Sequence, residues 1–175
     1  QLYLDRPAVR AWMLYDWANS AMYVVIVTAI FPTFFSAVAA QGLPPVEATY
    51  RFSLATTLGL TIIAVLSPIL GAIADHSAAK KRLLGAFLAF GASAVAAMFF
   101  IRHGQWEFAA LLFILANIGV NGSFVFYDSL LPHVAAPDEM DRISTAGYAL
   151  GYLGGGLFLV ACLGIILAPA AFGLP

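Results

Sequence analysis

Five apolar runs, each long enough to cross a bilayer, follow one another along this chain of 175 residues, parted by short polar or Pro/Gly-rich interruptions. A helix satisfies its own backbone groups at about 1.5 Å per residue, so about 20 apolar residues cover a hydrocarbon core of about 30 Å. The runs cover residues 17–39, 52–74, 83–101, 106–131 and 144–167. They predict an all-α polytopic membrane protein with about five transmembrane helices. An amphipathic lead-in precedes the first run, with Asp5 placed to cap a helix that carries Pro7 in its first turn. Gly42-Leu43-Pro44-Pro45 ends that run.

Composition agrees with this reading. Hydrophobic residues make up 62% of the chain and charged residues 10%, where a soluble domain carries about 25% charged. Eight Lys and Arg stand against nine Asp and Glu, leaving no basic surface for nucleic acid. Cys162, the single cysteine, forms neither an internal disulfide nor a multi-thiolate metal site, so no metal or other cofactor is expected. The apolar runs recur to the end of the chain, unlike a cleaved leader followed by soluble sequence. Arg6, Arg10, Lys80, Lys81, Arg82 and Arg142 fall on one side of the predicted membrane, and Arg51 and Arg102 on the other. The positive-inside rule then places the N-terminus in the cytoplasm and Pro175 outside.

Polarity inside a bilayer is costly, about 2.5 to 3.5 kcal/mol for a central charge, so polar residues within the runs are the functional candidates. The third run offers only Ser93, as expected of a helix turned mostly toward lipid. In the first, Tyr15, Asp16, Asn19, Ser20 and Tyr23 recur at three- and four-residue spacing and share a stripe. In the fourth, Asn117, Asn121 and Asp128 share a face, with Ser123 and Tyr127 beside it. Two readings stand: interhelical hydrogen-bonding glue, or two faces lining one water-filled path. For Asp16, the flanking Trp12, Tyr15 and Trp17 suggest an interfacial structural role; the other reading is a proton- or substrate-coupled carboxylate. Asp128, four residues before Pro132, suits a gate or helix-end contact as well as substrate binding.

The fifth run holds Gly147, Gly151, Gly154, Gly155 and Gly156. Gly147 with Gly151, and Gly151 with Gly155, form overlapping Gly-x-x-x-Gly pairs that let a neighbouring helix approach closely. A nucleotide loop is excluded, because no strand precedes the glycines.

Between the second and third runs stands Gly71-Ala-Ile-Ala-Asp75-His76-Ser-Ala78-Ala-Lys80-Lys81-Arg82. The basic residues alone are explained as a topological anchor; Gly71 and Asp75 at this spacing are not. The segment resembles the signature between the second and third helices of the major facilitator superfamily. Gly71, Asp75, Lys80 and Lys81 match it, while His76 replaces a basic residue and Ala78 a glycine. Three further stretches resemble the branch of the autophagy-related vacuolar amino-acid effluxers and their bacterial relatives. They are Trp12-Met-Leu14-Tyr15-Asp16-Trp17-Ala18-Asn19-Ser20, Gly122-Ser123-Phe-Val125-Phe126-Tyr127-Asp128 through Pro132, and Asp141-Arg142-Ile-Ser144 through Gly156.

The resemblance implies the N-terminal half of a major facilitator fold, with residues 1–175 as one helical half and the C-terminal half of the polypeptide absent. It implies a substrate site near the midplane, helices one and four lining the cavity, and alternating access by rocking of the halves. Asp16, Asn19, Ser20, Tyr23, Asn117, Asn121 and Asp128 are then the candidates for substrate or proton. Gly71, Asp75, His76, Lys80, Lys81 and Arg82 form the cytoplasmic gate, which His76 would make pH-sensitive, and Gly147, Gly151 and Gly155 pack helices. The expected function is secondary active transport of a small solute, amino-acid efflux among the possibilities, with no enzymatic activity. The partners are the lipid bilayer, the solute and the other half of the polypeptide. The location is a bacterial inner membrane, or a vacuolar membrane in a eukaryote. The alternative is a membrane scaffold, or a half-transporter that works as a homodimer.

Overall fold

The computed structural model describes residues 5–76 and 79–173, so Ala78 and Pro175 lie outside the described residues. Among the described residues, five helices are long and apolar enough to cross a membrane: α1 (Pro7–Ala39), α2 (Pro45–His76), α3 (Lys80–Phe100), α4 (Trp106–Asp128) and α5 (Met140–Leu167). No strand occurs among the described residues. The helices extend past the apolar runs; α2, with 32 residues, reaches about 48 Å at the usual rise. Polar turns at its ends therefore project beyond a core of about 30 Å unless it tilts.

Pro7 opens α1, where its missing N–H costs nothing. Asp5 does not cap this helix: Arg6 occupies the N-cap, and no side chain bonds to the first turn. α1 is α-helical over Pro7–Ala21 and Phe31–Phe34 and winds in wider π turns over Met22–Ile30 and Phe35–Ala39. Pro32 lies between the two wide segments. It offers no donor to the carbonyl four residues back, and a π turn lets the next residue serve it instead. α2 contains Pro68, and beside it the Ser67 hydroxyl donates to the Ile63 carbonyl at 2.7 Å.

The chain divides into two compact units, residues 1–32 with 131–175, and residues 33–130. In the first, α1 packs along α5. Arg6, just before α1, donates to Glu139 Oε2 at 2.7 Å and to the Val134 carbonyl, while the Ala136 N–H donates to the same Glu139 oxygen at 3.1 Å. This clasp ties the start of α1 to the connection leading into α5. The Arg6 bond, followed by the Ala136 bond, holds the Glu139 carboxyl below the usual carboxylate range.

In the second unit α4 is the centre. Of its most apolar stretch 56% is buried, against 17 to 22% in the other long helices. α3 crosses it at glycines. A Cβ on Gly119 would lie 2.4 Å from the Gly91 Cα, and one on Gly122 would lie 2.3 Å from the Phe87 ring. Backbone therefore meets backbone, the arrangement that van der Waals packing favours where lipid removes the hydrophobic drive between helices. On the other side Phe52 of α2 stacks between Phe35 and Phe113, with ring centroids 5.3 and 5.0 Å apart. Ile63, Leu70 and Ala74 of α2 close a second cluster around Phe126. At the far end of α4 the Gly104 N–H donates to the Val38 carbonyl at 3.1 Å, from a left-handed backbone (φ 79°) that favours glycine.

Candidate functional site

Which of the polar residues are still uncommitted is decided by the hydrogen bonds. A hydroxyl that bonds to its own helix, or an amide that does so, needs nothing else inside a bilayer. Thr56, Ser67, Ser93 and Ser123 each donate to a carbonyl three or four residues back. On α4 the buried Asn117 amide donates to the Phe113 carbonyl at 2.9 Å, and the Asn121 amide to the Asn117 carbonyl at 2.8 Å. Asn117 also faces α2, where a Cβ on Gly59 would touch its own Cβ at 3.6 Å. The α4 amides thus spend donors within their own helix, at a packed seam. Asp128, the last residue of α4, is exposed.

The stripe on α1 differs. Asp16 is 3% exposed and Asn19 4%. Among the described residues Asp16 has no hydrogen bond or ion pair, and the buried Asn19 Nδ2 has no hydrogen-bond partner. A buried carboxylate lacking a cation is costly unless it takes up a proton or a ligand. Ser20 and Tyr23 are half-buried on the same helix, Tyr23 where the wide turns begin.

The glycines of α5 decide how that stripe is seated. A Cβ on Gly147 would lie 2.7 Å from the Trp12 ring. On Gly151 it would lie 2.6 Å from Ser20 Oγ and 2.8 Å from Asp16 Oδ2; on Gly154, 2.5 Å from the Trp17 ring; and on Gly155, 2.7 Å from Val24. Residue numbers rise together along the seam, so α1 and α5 run in the same direction. Trp12 is 7% exposed, while Trp17 remains 38% exposed. The composition of α1 alone did not reveal this partner, and Gly154, outside the Gly-x-x-x-Gly pairs, is as tightly met as its neighbours.

Among the described residues of the segment joining α2 to α3, Lys80 reaches α4. Lys80 Nζ donates to the Ser129 carbonyl, at the C-cap of α4, at 3.3 Å, a favourable place for a cation. Lys81 and Arg82 are exposed. Asp75 is exposed and pairs with none of the described cations. His76 Nδ1 lies 3.0 Å from the Ala72 carbonyl. Around Gly71 there is open space, with no atom within 4 Å of where a side chain would be.

Two sets of residues escaped sequence reasoning. Gly91 and Gly119 sit in apolar runs where only polar residues drew notice, although Gly119-x-x-Gly122 is a visible small-residue signal. Glu139 lies in the connection before the fifth run, and nothing local marks its partner 133 residues away. No group of three metal-ligating side chains occurs among the described residues.

The model of a family described as vacuole effluxer Atg22 like matches residues 46–173. The chain is 36% identical over 166 residues to the uncharacterized MFS-type transporter YxiO of Bacillus subtilis (strain 168), covering 94% of this chain and 39% of that protein. It is 33% identical over 106 residues to autophagy-related protein 22 of Neurospora crassa, covering 58% of this chain and 14% of that protein. It is 34% identical over 91 residues to autophagy-related protein 22 of Coccidioides immitis, covering 52% and 14%. The chain therefore spans about two fifths or less of the length of these relatives. No solved structure matches it. Five helices long and apolar enough to cross a membrane agree with what these matches show: the chain belongs to the Atg22-like vacuole effluxer family, within the major facilitator superfamily.

Proposed function

We propose that this chain is the N-terminal helical half of a secondary transporter that moves a small solute by alternating access. Asp16, Asn19 and Ser20 supply its share of the solute or proton site. The observation that carries this is the buried Asp16 carboxylate, without a cation partner, next to a buried Asn19 amide with an unspent donor. A membrane helix retains such a pair against its desolvation cost when the pair handles a polar or charged species. Tyr23 flanks the site. Asn117, Asn121 and Asp128 are the fourth-helix candidates for solute or proton.

Transport and export are supported by the names of the relatives: one is an MFS-type transporter, and the family is described as effluxers. Amino-acid efflux is the specific form of this reading. The N-terminus and the Gly71–Arg82 segment lie on the cytoplasmic side, where Gly71, Asp75, His76, Lys80, Lys81 and Arg82 act as the gate. The Lys80 bond to the end of α4 is the contact that supports this. A C-terminal half of the same polypeptide completes the path, and the extra length of the relatives supports it.

The test is transport by the full-length protein in proteoliposomes with a panel of amino acids, with and without a pH gradient. Asp16→Asn and Asn19→Ala should abolish gradient-driven flux, and Asn117→Ala should reduce it. Unchanged rates in Asp16→Asn and Asn117→Ala overturn the residue assignments.

A further inference from the structure

Asp16 is not placed by its own helix alone. Its carboxylate Oδ2 lies 2.8 Å from where a Gly151 side chain would begin, and Ser20 Oγ lies 2.6 Å from the same point. Any residue larger than glycine would collide with both oxygens at once. The neighbouring glycines fix the register on either side: Gly147 admits the Trp12 ring, Gly154 the Trp17 ring, and Gly155 the Val24 side chain and the Ser20 carbonyl. Trp12, Asp16, Ser20 and Val24 are four residues apart, as are Gly147, Gly151 and Gly155, so the two helices mesh over three turns. A one-residue slip of α5 would bring side chains into rings and carboxylate together, and large aromatic groups have no flexible end with which to yield.

We propose that Gly151 is the positioning residue for Asp16. The gap left by its missing side chain seats the carboxylate and the Ser20 hydroxyl against α5, and the flanking glycines lock α1 to α5 so that both helices carry this acid as one body. This rests on the reading of Asp16 as a transport residue, and deepens it by assigning the geometry of the acid to a residue on another helix. The charged residues of α5, Asp141 and Arg142, are exposed in its first turn, more than two turns before Gly151. The Leu131–Val134 turn, which also packs on α1, carries only the exposed His133 as a titratable group.

The experiment labels carboxyls in the full-length protein, reconstituted in liposomes, with dicyclohexylcarbodiimide, an apolar reagent that attacks carboxyls in membrane segments. Mass spectrometry reads modification of the Asp16 peptide. Gly151→Ala displaces the carboxylate from its seat and should change the rate of Asp16 labelling by about tenfold, equivalent to about 1.4 kcal/mol. Gly156→Ala, on the same helix with nothing within 4 Å of the new methyl, should label like the parent. In transport assays Gly151→Ala should raise the half-saturating solute concentration more than it lowers the maximal rate. Parent-like Asp16 labelling in a folded Gly151→Ala protein overturns the proposal. If that variant does not fold, Gly151→Ser and the flanking Gly155→Ala are labelled instead; parent-like labelling in Gly151→Ser, or an equal change in both variants, also overturns it. Altered labelling combined with full transport by Asp16→Asn leaves the seating intact and refutes only the transport role of the acid.

Discussion

Replacing Gly119 by alanine is the sharpest test of how this bundle is held together. The added methyl carbon would sit 2.4 Å from the Gly91 Cα, 2.5 Å from the Gly91 nitrogen and 3.0 Å from the Phe87 carbonyl oxygen. All three are backbone atoms of α3, so no side chain can rotate away. To restore ordinary carbon contacts of about 3.5 Å, α3 must move outward by about 1 Å, and a gap of that size forfeits a quarter to a half of each dispersion well it opens. Lipid is as apolar as the residues that part, so no hydrophobic gain offsets the loss. The expected cost is at the upper end of the overpacking range, about 2 to 3 kcal/mol. Gly91→Ala, whose methyl would meet Gly119 at 3.2 Å, should cost less. Gly59→Ala, with its nearest neighbour at 3.6 Å, should be close to neutral. Gly164→Ala meets nothing and should stabilise its helix by about 0.5 to 1 kcal/mol through propensity alone. Unfolding of the four variants in mixed detergent micelles, titrated with dodecyl sulfate, gives the order directly. A Gly119→Ala protein as stable as Gly164→Ala would refute the backbone contact between α3 and α4.

Two further outcomes follow from the ends of the helices. The Glu139 carboxyl is held low by Arg6 and Ala136, so its stabilising share is present above the ordinary carboxylate range and is lost as pH falls through its lowered folded value. The melting temperature of the parent should therefore show an acid-side dependence that Glu139→Gln and Arg6→Ala both flatten; an unaltered dependence in both would remove the clasp from the account. At the other end, the Arg51 guanidinium carbon stands 4.2 Å from the Trp106 ring centroid, and its Nε bonds Glu47 at 2.6 Å. Both partners are partly exposed, so a double-mutant cycle of Arg51→Ala with Trp106→Leu should give a coupling of about 0.5 to 1 kcal/mol. A coupling of zero would mean that ring and guanidinium do not hold α2 to α4.

Much of this protein is legible in its sequence because a bilayer leaves few choices. Every backbone group must be satisfied inside the segment that carries it, so run length alone gives five helices, and Pro44, Pro45 and Gly42 mark a break without reference to any partner. The stripe of Asp16, Asn19, Ser20 and Tyr23 is equally visible, since helical periodicity places these residues together whatever surrounds them. The glycines of the fifth run announce close packing but do not say against what. That information lies in the distance between helices, and no local propensity encodes a contact between residues more than 130 positions apart.

Only the tertiary structure decided which polar groups are already spent. Asn117 and Asp16 look alike in sequence, as polar residues in apolar runs. The fold turns the Asn117 amide onto its own helix, and leaves Asp16 buried in the gap made by Gly151 without a cation. The sequence by itself determined that this is a membrane bundle with polar stripes on its first and fourth helices, because hydration and backbone hydrogen bonding act residue by residue. Packing decided how the first stripe is seated and what holds it in place, because steric fit depends on both helices at once.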